Sequence, residues 1–251
     1  MKAALMVEAG KPLVVQDVPK PEIGSHEVLV KVAACGVCHT DLHYIDHGTP
    51  TFKKPPIILG HEISGTVAAC GSSVSKFQEG DPVLLPAVLT CGSCEFCRRG
   101  RENICSNMIM FGNHINGGFA EYVATPAKDI LPLPKEMPLA DASIIADAVS
   151  TPYHAVANRG QVRPGDSVAV FGCGGVGINV VQMSALFGAD VIAVDLDNRK
   201  LATAMELGAK QTINPKEVEK VPKKIRELTA GAGADIAFEV IGNPATIRTA
   251  Y

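Results

Sequence analysis

The stretch VAVFGCGGVGINVVQ, residues 168–182, decides the fold. An apolar run ends at Gly172, Gly174 and Gly177 follow in G-x-G-x-x-G order, and a helical pattern begins at once. Each glycine has its own reason. Gly172 permits a tight turn, Gly174 lacks the Cβ that would obstruct a pyrophosphate, and Gly177 lets the helix pack closely on its strand. Gly175 and Val176 lie in the turn that opens the helix, where free N–H groups and a positive dipole end favour phosphate. The pattern alone is weak, because glycines cluster in many loops. Here the next apolar run, DVIAVD, ends in Asp195, about 20 residues on. A carboxylate there accepts hydrogen bonds from ribose hydroxyls and repels a 2′-phosphate, which favours NAD over NADP.

Outward from this turn, the runs SVAVFG, DVIAVD, QTIN and DIAFEVIG alternate with the helical stretches VGINVVQMSALFG, NRKLATAMELG and EVEKVPKKIRELTAG (217–231). That alternation predicts a parallel α/β sheet covered on both faces. Upstream, residues 140–160 read as a helix interrupted or restarted near Pro152. Residues 1–150 follow a different rule. The runs KAALMV, LVVQDV, EVLVKVAACG, ISGTVAAC, DPVLL and FAEYVA are short strands set between proline and glycine turns, as in a partly open barrel. In EVLVKVAACG the alternation puts Val28, Val30 and Val32 on one face. Two domains are expected, 1–150 mostly β and 151–251 α/β.

Composition narrows the function classes. The 251 residues are 47% hydrophobic and 20% charged, which excludes disorder and fibrous repeats. A net charge of -3 offers no basic field to hold nucleic acid or an anionic membrane. No apolar run approaches the roughly 18 residues of a membrane span, and the first residues lack the pattern of a signal peptide. A cytoplasmic location is the expectation.

Eight cysteines remain to be explained. Cys91, Cys94, Cys97 and Cys105 stand as C-x2-C-x2-C-x7-C in a polar lobe at 88–113. Short spacings turn successive thiolates toward one centre, and four of them close a structural tetrahedral zinc site. Arg98, Arg99 and Arg101 sit where they could offset the charge of about -2 on such a complex. An iron–sulfur cluster and free thiols are the alternatives on spacing, and the lobe is too short to be a nucleic-acid-binding ribbon domain. Cys35 and Cys70 end strands as small buried hydrophobes. Cys173 lies inside the glycine turn, where a helix N-terminus could lower its pKa, although the favoured reading is that its place there is incidental.

Three further segments carry good ligands: GVCHTDLHYIDHG (36–48), LGHEISG (59–65) and IADAVSTPYH (145–154). Singly they are unremarkable. In order with the four-cysteine lobe and GCGGVG, however, CGVCHTD and GHE resemble the zinc-containing alcohol dehydrogenases of the medium-chain dehydrogenase/reductase family over the whole chain. The resemblance implies a GroES-like domain followed by a Rossmann domain, two Zn2+ per chain, NAD, and reversible oxidation of an alcohol to an aldehyde or ketone. It assigns Cys38, His61 and Asp147 to the catalytic zinc, with Asp147 where many members have a second Cys. Glu62 matches a carboxylate that orients or transiently replaces water on that metal. Thr40 matches the hydroxyl that takes the alcohol's proton, and His43 the exit of that relay to solvent. Asp41 matches a partner of a ligand histidine. His39 falls near the cofactor pyrophosphate, Thr151 by the nicotinamide, and Lys200 with Asp195 at the adenosine ribose. His114 and His154 receive no role, although on one continuous helix His154 would share a face with Asp147.

The same resemblance raises a competing reading. Family Rossmann domains carry six strands, and residues 168–251 supply four, so two strands, on the order of 40 residues, are expected to be missing. The dimerising strand of these homodimeric or homotetrameric relatives lies in that part. A non-catalytic, zinc-stabilised dinucleotide-binding fragment is therefore the alternative to a working enzyme, and a small-molecule alcohol or carbonyl the expected partner of the latter.

Overall fold

A computed structural model describes all 251 residues, which divide into two compact units, Met1–Asp147 and Ala148–Tyr251. The division falls at Asp147/Ala148, close to the boundary expected at 150/151.

The first unit is built on a five-stranded antiparallel sheet in the order Leu131–Pro132, Pro82–Leu85, Glu62–Cys70, Glu27–Gly36, Tyr122–Pro126. A smaller antiparallel sheet orders Val14–Asp17, Lys2–Met6 and Ile57–Ile58. Val28 and Val30 are fully buried, as their alternation implies, whereas Val32 is half-buried beyond a shift of register with the Glu62–Cys70 strand. Val28, Val30, Ile63, Val67, Val83, Leu85 and Phe111 form one apolar cluster between these strands. Cys35 and Cys70 line that cluster half-buried, not buried as expected, each standing at or next to the last residue of its strand. The cysteine lobe leaves and rejoins the unit through a two-stranded ribbon, Val88–Leu89 against Ile109–Met110.

The second unit carries a parallel sheet in the order Gln211–Ile213, Asp190–Val194, Ser167–Phe171, Ile236–Glu239. Numbered along the chain that order is 3-2-1-4, so the strand order reverses at Ser167–Phe171 and the crevice for a ligand opens at its carboxyl end. The glycine turn lies at that end. The following helix, Gly175–Leu186, buries Gly177, Val180, Val181 and Ser184, the spacing of one helical face.

Local details in both units refine these readings. The helix read over 217–231 begins only at Val221, because Pro222 has no N–H to donate and is accommodated in a helix's first turn. The segment 140–160 is interrupted and restarts close to Pro152, as read: Leu139–Ala142 tightens into a 3-10 turn at Ser143–Ala146, breaks at Asp147 (φ -141°, ψ -61°), and resumes at Ser150–Tyr153 before widening into a π-type turn at His154–Gly160. The break precedes Pro152, so the continuous face supposed to join Asp147 and His154 does not exist. Finally, burial pushes the Cys173 thiol up to about 11, with the Asp195 carboxylate adding to the effect, so the helix N-terminus does not make it a reactive thiolate.

Phe111 is fully buried beside the root of the cysteine lobe. Phe111→Ala is expected to destabilise the first unit by about 3–5 kcal/mol, read as a lower urea midpoint for that unit's transition.

Candidate functional site

The first site is assembled from three separate pieces of the first unit. Cys38 precedes the helix His39–Asp46, His61 leads into the strand Glu62–Cys70, and Asp147 sits at the backbone break just described. Their Sγ, ring-nitrogen and carboxylate atoms lie within 4.8 Å of one another. Cys38 Sγ is 3.6 Å from Asp147 Oδ2, and His61 Nε2 is 3.4 Å from the same oxygen.

Those separations test the metal. Zinc bond lengths of about 2.3 Å to sulfur and 2.0–2.2 Å to nitrogen and oxygen, at tetrahedral angles, put S and O roughly 3.6 Å apart and N and O roughly 3.4 Å apart. The match is close. Both nitrogens of the fully buried His61 ring also lack a hydrogen-bond partner, a cost that ligation of Nε2 would relieve on one side. Burial opposes the imidazolium, but Asp147, Asp41 and Cys38 outweigh it and push the His61 pKa up to about 12. The pocket is thus built for a cation.

Asp41 holds this arrangement in place. Its carboxylate is completely buried; Oδ2 accepts from Cys38 N–H at 3.0 Å, and Oδ1 accepts from Gly60 N–H at 3.1 Å. One side chain therefore ties together the two loops that carry Cys38 and His61, and Oδ1 also lies 3.7 Å from His61 Nδ1. The histidine contact was anticipated; the clamp on two backbone segments was not, because nothing local announces that Gly60 lies opposite. Glu62 is buried over Gly36, where an added Cβ would lie 1.9 Å from Glu62 Oε2. His39 and His43 are exposed on the helix and Thr40 is half-buried there. His114, which had no role, accepts from Met110 N–H at 3.2 Å and stacks on Phe52 at 4.2 Å. His154 instead pairs with Asn158 at 3.0 Å.

The second cluster joins Cys91, Cys94, Cys97 and Cys105. Neighbouring sulfurs lie 3.5, 3.5, 3.9 and 4.0 Å apart, around the roughly 3.8 Å of a tetrahedral zinc tetrathiolate. Backbone N–H groups of Cys94 and Asn107 point at Cys91 and Cys105 sulfurs at 3.3 and 3.4 Å. Hydrogen bonds from Ser93 and Cys94 hold the Cys91 thiol down to about 5, whereas burial pushes Cys97 up to about 12. Of the three arginines, Arg99 pairs with Glu95 at 3.0 Å, so its charge is not directed wholly to the sulfurs.

In the second unit Gly172 has φ +97°, the left-handed turn foreseen for it. A Cβ on Gly177 would fall 1.8 Å from Gly172 O, so only glycine permits this approach. A Cβ on Gly174 would meet nothing, since that face of the turn is open. Gly175 is exposed beside it and Val176 packs on the apolar core. Asp195 does more than terminate its strand: Oδ2 accepts from Cys173 N–H at 2.8 Å and Oδ1 from Asp197 N–H at 2.9 Å, bracing the glycine turn. Lys200 lies exposed in the helix Asn198–Glu206, and Thr151 in Ser150–Tyr153.

With this geometry in view, comparison with known proteins is decisive. Residues 24–135 match the family model for the alcohol dehydrogenase GroES-like domain, and residues 175–251 that for the zinc-binding dehydrogenases. An alcohol dehydrogenase of Geobacillus stearothermophilus is 38% identical over 252 residues, covering 100% of this chain and 74% of the relative. The chain belongs to the zinc-containing alcohol dehydrogenases. Membership in this medium-chain dehydrogenase/reductase family makes it an oxidoreductase working with zinc and NAD. A sorbitol dehydrogenase of Bacillus subtilis is 36% identical over 100% of this chain and 71% of its own length. The crystal structure of an NAD-dependent alcohol dehydrogenase superposes with a TM-score of 0.93 at 36% identity, covering 100% of this chain and 74% of that one. That the relatives align over the whole chain favours the dehydrogenase over the non-catalytic reading. No helix is long and apolar enough to cross a membrane.

Two outcomes are expected of the dehydrogenase's metal sites. Asp41→Ala leaves two backbone N–H groups unpaired and should weaken zinc binding at the Cys38 site by about 10–100-fold, measured by competition with a chelator. Because the metal must take the imidazole nitrogen that otherwise carries a proton, zinc uptake by stripped protein should release protons and weaken as pH falls; a pH indicator in weak buffer reads the release.

Proposed function

We propose that the chain oxidises a primary or secondary alcohol, or a cyclic alcohol on a larger carrier, and catalyses the reverse reduction, with the following division of labour. The observation supporting it most directly is the Cys38, His61 and Asp147 cluster, whose spacings fit zinc and whose three side chains would hold it. Zinc bound there supplies a Lewis acid that lowers an alcohol's pKa, much as it brings bound water from about 15.7 to about 7. One thiolate, one carboxylate and one neutral imidazole, together about -2, would balance the charge of a bound Zn2+, so negative charge developing on the alcohol oxygen would not meet a large excess of like charge.

The protein's own groups do the rest. Thr40 accepts the alcohol proton at its hydroxyl oxygen and passes its own along the helix. His43, three positions on and on the same helical face, delivers it to solvent from its exposed ring. Asp41 keeps Cys38 and His61 at working separation. Glu62, buried next to His61, supplies a carboxylate that orients water or briefly takes its place.

The open face of Gly174 and the N-terminus of Gly175–Leu186 hold the cofactor pyrophosphate, with Gly172, Gly175, Val176 and Gly177 shaping the approach. Asp195 and Lys200 hold the adenosine ribose, and the Asp195 carboxylate disfavours a 2′-phosphate. Thr151 packs by the nicotinamide. The tetrathiolate lobe binds a second, structural zinc.

Cys38→Ala should abolish alcohol-dependent NADH formation and remove one of two zinc atoms per chain while the circular dichroism is retained; full activity with both metals would overturn the assignment. Thr40→Val should lower kcat by about 10²–10⁴-fold with zinc content unchanged.

A further inference from the structure

The helix that carries Thr40 also carries three histidines, His39, His43 and His47, four residues apart and all exposed. Residues so spaced line one helical face. The His39 ring meets the His43 ring edge-on at 4.8 Å, and the His43 and His47 centroids are 5.0 Å apart. Most telling, His43 Nδ1 and His47 Nδ1 face each other at 2.8 Å. His47 caps the helix through its N–H to His43 O at 3.3 Å, which fixes its backbone one turn from His43. Nothing in the division of labour above uses His47.

Two imidazole nitrogens so placed form a chelating pair. Ligation at about 2.0–2.1 Å per nitrogen requires them roughly 3.0–3.4 Å apart, depending on the angle at the metal. Exposed side chains reach that by opening a few tenths of an ångström. We propose that His43 and His47 bind a third divalent cation, Zn2+ or a metal of similar preference for imidazole, at the surface. The ion takes the place of the hydrogen now between the two nitrogens; that proton moves through solvent to Nε2 of the ring that carried it, so both rings stay neutral and ligate through Nδ1. Water fills the remaining positions, so the site is weaker than the two buried ones.

The occupied pair has a consequence that rests on the relay role proposed for His43. With Nδ1 on the metal and Nε2 protonated, His43 retains no lone pair to receive a proton. Excess zinc should therefore inhibit alcohol oxidation without displacing either tightly held metal.

The test takes the zinc-loaded enzyme, its His47→Ala and His47→Gln variants, and His26→Ala as an exposed-histidine control. Zinc chloride is titrated calorimetrically in a non-chelating buffer, and alcohol oxidation is followed over the same range. The expected result is a third zinc per chain, with affinity lowered by at least about tenfold in both His47 variants and unchanged in His26→Ala. Imidazole nitrogen resonances of His43 and His47 should shift together as it binds. Inhibition by zinc should fade in parallel, with the rate of the zinc-loaded His47 variants before any zinc is added left intact. Two zinc atoms only, or a third that the His47 variants bind equally well, overturns the site. A third zinc lost with His47 but without inhibition in the parent supports the site and overturns the relay role of His43.

Discussion

The first unit's chemistry depends on one buried carboxylate. Asp41 has no exposed surface, and it accepts N–H groups from Cys38 and Gly60, segments that precede and follow a long loop. An ionised carboxylate is stable in such a place only when donors satisfy it, and charge-assisted hydrogen bonds are the strong ones. The requirement works in both directions. The two loops satisfy the carboxylate, and the carboxylate holds the loops at the separation where a thiolate and an imidazole converge on one ion. Asp147 then completes the cluster from the break in its helical segment, where its backbone is neither helical nor extended.

The second unit repeats this logic. Asp195 was legible as a ribose-binding acid, yet its two oxygens also brace the N–H groups of Cys173 and Asp197. That carboxylate pins the glycine turn to the segment that opens the next helix. The same burial that shapes the turn silences Cys173, whose thiol is raised and kept neutral. In both units a carboxylate at a strand or helix end does structural work before any ligand arrives.

How much could be read from the chain depended on the range of the forces involved. The glycine turn is legible because each glycine answers to atoms nearby: Gly177 would collide with Gly172 O, five positions back, and Gly172 needs a left-handed φ. The four cysteines are legible because their spacing brings the sulfurs within reach without help from the rest of the fold. The dispersed site was readable only by resemblance. Cys38 and Asp147 stand 109 positions apart, and no local rule brings them to 3.6 Å. Pro222 and Asp147 show the opposite failure, where a periodic pattern ran across a point that backbone chemistry divides.

The sequence by itself determined the two fold classes, the phosphate-binding turn and the tetrathiolate lobe, since each is set by spacing within one turn, one loop or one strand–helix junction. Tertiary structure alone decided that Asp41 clamps two loops and that Cys38, His61 and Asp147 share one point. It also decided that His43 and His47 face each other nitrogen to nitrogen, where helical spacing promised only a common face. The physical reason is the same in each case. Hydrogen bonds and metal–ligand geometry act over about 2–4 Å, and only a packed sheet and its loops set distances of that size between residues remote in the chain.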